Sequence, residues 1–263
     1  FDEALQQASA TSSKTSENPA TIEEVLGLSQ AIYDTKNALN GEQRLATEKS
    51  KDLKLIKGLK DLNKAQLEDV TNKVNAANTL TELSQLTQST LELNDKMKLL
   101  RDKLKTLVNP VKASLNYRNA DYNLKRQFNK ALKEAKGVLN KNSGPNVNIN
   151  DIQHLLTQID NAKDQLNGER RLKEHQQKSE VFIIKELDIL NNAQKAAVIN
   201  QIRASKDIKI INQIVDNAIE LNDAMQGLKE HVAQLTATTK DNIEYLNADE
   251  DLKLQYDYAI NLD

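Results

Sequence analysis

The side chains able to do chemistry in this 263-residue chain are few and poorly spaced for it. His154, His175 and His231 have no His or Glu partner three or four residues away, the spacing by which helices hold zinc or paired iron. They read as solvated surface residues. Cysteine is absent, which excludes disulfides, thiolate metal sites and cysteine nucleophiles. The 7 glycines form no GxGxxG, Walker A or GxSxG pattern. Glu23-Glu24 and Asp249-Glu250-Asp251 are adjacent in sequence, so on a helix they splay apart and read as cap and surface charges. The expectation is a protein that is not an enzyme, with no catalytic, cofactor or metal residues and with its ligand-binding residues unassigned.

The elements that could position anything are helices. Only 7 Gly and 3 Pro break the chain, hydrophobic residues make up 38% and charged ones 28%. That composition suits several small bundles with apolar stripes better than one large core. Lys and Arg number 36 against 38 Asp and Glu, a formal charge of −2, so no basic field exists to hold nucleic acid or an anionic membrane. No apolar run approaches the length that spans a bilayer.

Internal duplication organises the chain. Leu39-Asn40-Gly41-Glu42 returns as Leu166-Asn167-Gly168-Glu169, 127 residues on. Leu62-Asn63-Lys64-Ala65-Gln66 returns as Leu190-Asn191-Asn192-Ala193-Gln194, and Glu92-Leu93-Asn94-Asp95-Lys96-Met97 as Glu220-Leu221-Asn222-Asp223-Ala224-Met225, both 128 on. Asn119-Ala120-Asp121 recurs as Asn247-Ala248-Asp249 in that register, and Phe128 to Leu132 echoes Phe1 to Leu5. One residue is inserted in the second copy opposite the stretch between Ile56 and Leu59. Because Phe1 matches Phe128, the sequence is expected to enter partway through a helix, and to stop partway through one at Asp263.

Within each copy, Leu83, Leu86, Thr90, Leu93, Met97, Leu100, Leu104 and Leu107 alternate steps of three and four. Ile211, Ile214, Ala218, Leu221, Met225, Leu228, Val232 and Leu235 repeat them. These stripes predict a helix over about 80–107, roughly 40 Å long at 1.5 Å per residue, with the stripe as bundle core. Thr79 to Glu82 and Thr21 to Glu24 read as capping boxes, Asn63 with Gln66 as another start signal, and Asp207 as the cap replacing Thr79. Shorter helices are predicted over about 42–59 and 64–77. Another is expected to run unbroken from Tyr117 to Leu139 and to end in the loop Asn140 to Pro145. A further helix carries Ile149, Ile152, Leu156, Ile159 and Leu166, matched by Ile22, Val25, Ile32 and Leu39. Ser16 to Ala20 is the first copy's loop, and Pro110 is expected to mark a kink or a boundary. Asn94-Asp95 and Asn222-Asp223 read as a polar register feature or a bond to a neighbouring helix, with partner binding as the alternative. The tyrosines read as packing at joints between units, their hydroxyls in water.

The ordered set Phe128-x-x-Ala131, the Pro/Asn loop, Leu166-Asn167-Gly168, Leu190 to Gln194 and Leu221-Asn222-x-x-Met225 resembles the Ebh/Embp family of giant staphylococcal extracellular matrix-binding proteins, at both copies and over essentially the whole chain. The stalks of that family alternate FIVAR and GA-like three-helix modules. The resemblance implies an all-α, elongated tandem array of three-helix bundles joined by long helices. It implies a FIVAR-like module at 1–40, truncated at its start, GA-like modules at 41–109 and 168–236, a FIVAR-like module at 110–167, and the start of another at 237–263. It also implies a bacterial cell-surface or cell-envelope location, adjacent repeats as neighbours, and a host matrix protein such as fibronectin as partner, with no nucleic acid and no membrane contact in this segment. A purely mechanical envelope spacer without a ligand is the alternative. Glu68-Asp69-Val70-Thr71 and Ala196-Ala197-Val198-Ile199 differ strongly in polarity, so a shared albumin-binding face is not expected.

Overall fold

A computed structural model describes residues 1–15 and 18–260. Ser16 and Glu17 of the first loop, and Asp263, lie outside the described residues. Among the described residues there are thirteen α-helices and no strand. They fall into two compact units, Phe1–Arg101 with Lys136–Gln153, and Asp102–Ala135 with His154–Asp263. Among the described residues no helix is long and apolar enough to cross a membrane.

Unit one opens with α1 (Asp2–Ser12) and α2 (Ile22–Asn37). Thr21 starts α2 with a full capping box: its hydroxyl accepts the Glu24 N–H at 3.1 Å and Glu24 accepts the Thr21 N–H at 3.0 Å. Lys14 adds an ion pair to the same carboxylate at 3.1 Å. The Thr21 backbone bond, and then Lys14, hold Glu24 below the usual carboxylate range. A carboxylate with a depressed folded value stabilises above its unfolded value and loses that contribution as pH falls through the folded one. The start of α2 is therefore expected to fray in acid while the rest of unit one stays protected. Amide exchange at Glu24 and Val25 between pH 6 and roughly pH 3 checks this; protection that stays flat over that range contradicts it.

The first-copy bundle follows as α3 (Gly41–Lys57), α4 (Lys64–Ala76) and the start of α5 (Leu80–Ala113). Its core is Ile56, Val70, Val74, Ala77 and Leu83, with Leu45, Leu53, Leu67 and Leu86 packed around them. The Thr79 hydroxyl accepts the Glu82 N–H at 3.1 Å, but the Glu82 carboxylate reaches one residue further back, to the Asn78 N–H at 2.9 Å. The predicted box is thus closed around Asn78 and not around Thr79 itself.

Unit two holds α6 (Leu115–Arg118), α7 (Tyr122–Val138) up to Ala135, and α8 (Ile149–Asp164) from His154. The second-copy bundle follows as α9 (Gly168–Glu186), α10 (Asn192–Ala204) and α11 (Ile208–Thr238). Leu172, Ile183, Leu187, Leu190, Ile202, Ile211 and Ala218 form its core. The short α12 (Ile243–Leu246) and α13 (Glu250–Ile260) close the described chain.

Two helix boundaries depart from expectation. Pro110 lies inside α5, which runs on to Ala113; the break comes at Ser114, whose hydroxyl accepts the Tyr117 N–H at 3.1 Å and so begins α6. The single helix expected from Tyr117 to Leu139 is two, α6 and α7, parted at Asn119-Ala120-Asp121. The break has a local cause that recurs between α12 and α13: Asn119 donates to the Leu115 carbonyl at 3.3 Å, and Asn247 to that of Ile243 at 2.9 Å. The Asn119 side chain is drawn sideways onto another helix.

The two apolar stripes also fare differently. Leu93 and Leu100 are 8% and 0% exposed, while their second-copy counterparts Leu221 and Leu228 are 41% and 56% exposed. In unit one Lys96 donates to Gln153 at 3.3 Å, and in unit two Lys103 pairs with Asp160 at 2.5 Å. Both contacts lay α8 along the first stripe. No counterpart of α8 lies along the second stripe among the described residues.

Candidate functional site

The residues singled out for possible chemistry stay scattered. His154 and His231 are exposed. His175 is not simply solvated: it is half-buried, with Nε2 2.6 Å from Asn212 Oδ1. Glu24 is a cap, and Glu250 pairs with Lys253 at 3.0 Å. Among the described residues no group of three or more His, Asp or Glu is placed to hold a metal ion. The tyrosine hydroxyls are less solvated than expected. Tyr117 accepts from Asn129 Nδ2 at 2.9 Å and stacks edge-on against Phe128 at 5.9 Å. Tyr245 donates to Asp257 at 3.0 Å, and Tyr256 donates to the Leu235 carbonyl at 3.2 Å. Tyr122 and Tyr258 are largely exposed.

The repeated asparagines carry the built polar structure. Asn94 Oδ1 accepts the Asp61 N–H at 3.0 Å, and Asn222 Oδ1 accepts the Ile189 N–H at 3.1 Å. Each clamps the turn before α4 or α10 onto the long helix of its own bundle, so the asparagine of each pair bonds neighbouring backbone.

In unit one, a second set of bonds ties the start of α4 to the loop after α7. Asn63 is fully buried. Its Oδ1 caps α4 by accepting the Gln66 N–H at 2.9 Å. Its Nδ2 donates to the carbonyls of Val138 at 3.1 Å and Pro145 at 2.9 Å. Gln66 completes the box and donates to the Val147 carbonyl at 3.0 Å. From the other side Lys141 donates to the carbonyls of Lys60 and Leu62, while Arg101 pairs with Asp61. Desolvation pushes the Lys141 ammonium below its ordinary value, and the Arg101 charge pushes the same way. One amide side chain thus satisfies three backbone groups belonging to two elements, and such groups are costly to leave unpaired when buried.

In unit two, the break between α6 and α7 is held against the second bundle. Asn119 accepts the Ile208 N–H at 3.0 Å and donates to the Lys206 carbonyl at 3.0 Å. The backbone at 119 to 121 is gripped in return. Asn167 accepts the Asp121 N–H at 3.1 Å and donates to its carboxylate at 2.6 Å, while Arg171 meets the same carboxylate at 3.0 Å and the Asn119 carbonyl at 2.8 Å. Arg118 pairs with Asp207 at 3.5 Å. Asn167 stands at the N-cap of α9 but makes no cap bond. Its side chain is spent on the neighbour. Gly168 is buried beneath this contact, and a Cβ there would lie 2.6 Å from both the Leu115 carbonyl and the Ala120 nitrogen.

These residues were visible in the sequence only as recurrences. Asn119-Ala120-Asp121 and Asn167-Gly168 repeat without an obvious local duty, and polar residues repeated without a local duty were the available signal.

The fold and these joints define a class: short helical bundles held, within each unit, by side chains that bond the backbone of a neighbouring element. The chain matches the profile of the FIVAR domain at residues 96–167 and 224–262, and that of the GA module at residues 42–96 and 169–224. It is 31% identical over 262 residues to extracellular matrix-binding protein EbhA of Staphylococcus aureus strain Mu3, covering 100% of this chain and 4% of that protein. Extracellular matrix-binding protein ebh of strain MW2 is 31% identical over the same length, 3% of the relative being covered. The crystal structure of the 756–1003 domain of Staphylococcus aureus EbhA superposes with a TM-score of 0.72 at 24% identity, covering 82% of this chain and 87% of that one. The chain belongs to the Ebh/Embp family, whose repeats are built from FIVAR and GA modules. It spans only a few hundredths of the length of these relatives. The joint in unit one ties the first GA match to the FIVAR match that follows, and the joint in unit two ties that FIVAR match to the second GA match.

Proposed function

We propose that this chain is a non-catalytic stalk segment of a bacterial cell-surface adhesin, with module boundaries near 40, 109, 167 and 236. It holds its modules in fixed register and presents their outer faces, many weak contacts at a time, to a host matrix protein such as fibronectin. The observation that carries the reading is the joint chemistry. Asn63 and Asn119 bond the backbone of the next module, and such bonds constrain orientation, which a stalk needs and a flexible linker does not supply. The matrix ligand is supported by the names of the full-length relatives. Weak single contacts become useful when repeated along one chain.

Binding of this chain, and of two and four copies in tandem, to immobilised fibronectin tests the reading. Apparent affinity is expected to climb at least tenfold from one copy to four; an affinity independent of copy number overturns the multivalent mechanism. A spacer without its own ligand is the second reading. It is favoured by positions outside the core that diverge between copies, Glu68-Asp69 against Ala196-Ala197, while joint residues persist. No binding at any copy number favours that spacer.

A further inference from the structure

Positive charge gathers at one end of the first-copy bundle in unit one. Lys54 and Lys57 lie a turn apart at the end of α3, Lys60 follows in the turn, and Lys64 opens α4. All four are exposed. Lys57, Lys64 and Lys141 line one groove of about 730 Å³, together with the polar Thr71, Asn72 and Asn142. Lys141 arrives from the loop after α7, its ammonium fixed on the carbonyls of Lys60 and Leu62. The carboxylate lining the groove is Glu68, 3.7 Å from Lys64; Asp61, nearby in the turn, is taken by Arg101. A chain of formal charge −2 thus holds a strongly basic patch.

Folding does not account for this patch. Lysine at the end of α3 complements the helix dipole, but Lys64 at the start of α4 opposes it. The second copy builds the same bundle with Val181, Ile184, Asp188 and Asn192 in place of Lys54, Lys57, Lys60 and Lys64. Neither adjoining module covers these positions. In unit one the loop that follows the bundle is in place, and the lysines are exposed. In unit two α6, which precedes the bundle, is in place with Leu115 on the core, and Val181 and Ile184 are still 50% and 56% exposed.

We propose that this end of the bundle binds a single chain of sulfated polysaccharide. Lys57 and Lys64 pair with sulfates in the groove, Lys54 and Lys60 extend the track, and Lys141 adds a fixed charge beside them. Thr71, Asn72 and Asn142 bond the sugar hydroxyls. Sulfates stay ionised at neutral pH and recur along one narrow chain, which matches a groove of this size with cations on both sides. No aromatic side chain lines the groove, so the stacking platform that single-stranded nucleic acid uses is missing. The site stands whether or not the outer faces bind a matrix protein.

Titration calorimetry of the whole chain with a short heparin fragment tests it. Affinity is expected to fall about a hundredfold as salt rises from roughly 50 to roughly 200 mM, the dependence of about five contacts with a single-stranded polyanion. Lys57→Gln with Lys60→Gln is expected to weaken binding about tenfold or more at roughly 100 mM salt and to flatten that dependence. Its melting temperature is expected to be unchanged, since both side chains are exposed. Lys173→Gln with Lys178→Gln removes equal charge from exposed positions of α9 and is expected to leave affinity within about twofold. A chain that does not bind heparin, equal losses in the two variants, equal binding of the fragment stripped of its sulfates, or tighter binding of single-stranded DNA of matched charge overturns the proposal.

Discussion

Gly168→Ala is expected to destabilise unit two by about 2 kcal/mol, although the same change at Gly41 stabilises unit one by a few tenths up to about 1 kcal/mol. Both glycines occupy the first position of a helix, α9 and α3, after an asparagine. Helix propensity alone favours alanine at either site. At Gly168 the new methyl carbon falls 2.6 Å from the Leu115 carbonyl and the Ala120 nitrogen. These are backbone atoms, held by the bonds from Asn167 and Arg171 to residues 119 and 121. They cannot swing aside as a side-chain tip would. Either α6 lifts, uncovering Asn119 and breaking its bonds to Lys206 and Ile208, or α9 shifts within its core. Overpacking of this kind typically costs 1–3 kcal/mol. Urea unfolding followed by a probe in each unit separates the two effects. Equal responses at the two glycines count against steric closeness as the reason for Gly168.

Asn63→Asp is expected to cost about 3–4 kcal/mol, more than Asn63→Ala at about 2–3, even though aspartate is as good a helix cap as asparagine. The carboxylate keeps the Oδ1 that accepts the Gln66 N–H. It loses the Nδ2 that served the Val138 and Pro145 carbonyls, and faces them with a second oxygen at a site that is fully buried. Three acceptors then converge with no donor, and a charge is desolvated without a partner. Acid relieves the variant, because a protonated carboxyl donates one bond back. Asn191 is the internal control: it makes the same box, accepting the Gln194 N–H at 2.9 Å, but is exposed. Asn191→Asp is expected to change stability by no more than a few tenths of a kcal/mol. Chevron or equilibrium unfolding of the four proteins gives the order directly. If Asn63→Asp is as mild as Asn191→Asp, the amide is only a cap and the joint is held by something else.

Helix existence and most starting points were legible because their causes are local. Thr21, Asn63 and Asn191 each make the box their spacing implies, and Asp207 caps α11 through the Lys209 N–H at 2.9 Å. Apart from half-buried Leu86, the stripe Leu83 to Leu104 is buried as the three-four alternation requires. The duplication told which residues share a role. All of this needs only a turn or two of chain, and a sequence read one window at a time contains it.

The joints needed the tertiary structure, since their causes are not local. Asn40-Gly41 and Asn167-Gly168 are the same dipeptide in the same helical position, yet one is open and the other is clamped under Asp121. The helix parts at Asn119 as it does at Asn247, but that the Asn119 amide also bonds Lys206 and Ile208, some ninety residues away, is a fact no propensity at Asn119 encodes. Leu221 repeats Leu93 but stays exposed, because burial depends on which helix lies alongside and not on the residue. The sequence by itself determined the helices, their faces and their repetition. Which faces meet, and which polar side chains turn from capping their own helix to holding a neighbour, was decided only when distant backbone came within the three ångströms or so that a hydrogen bond spans.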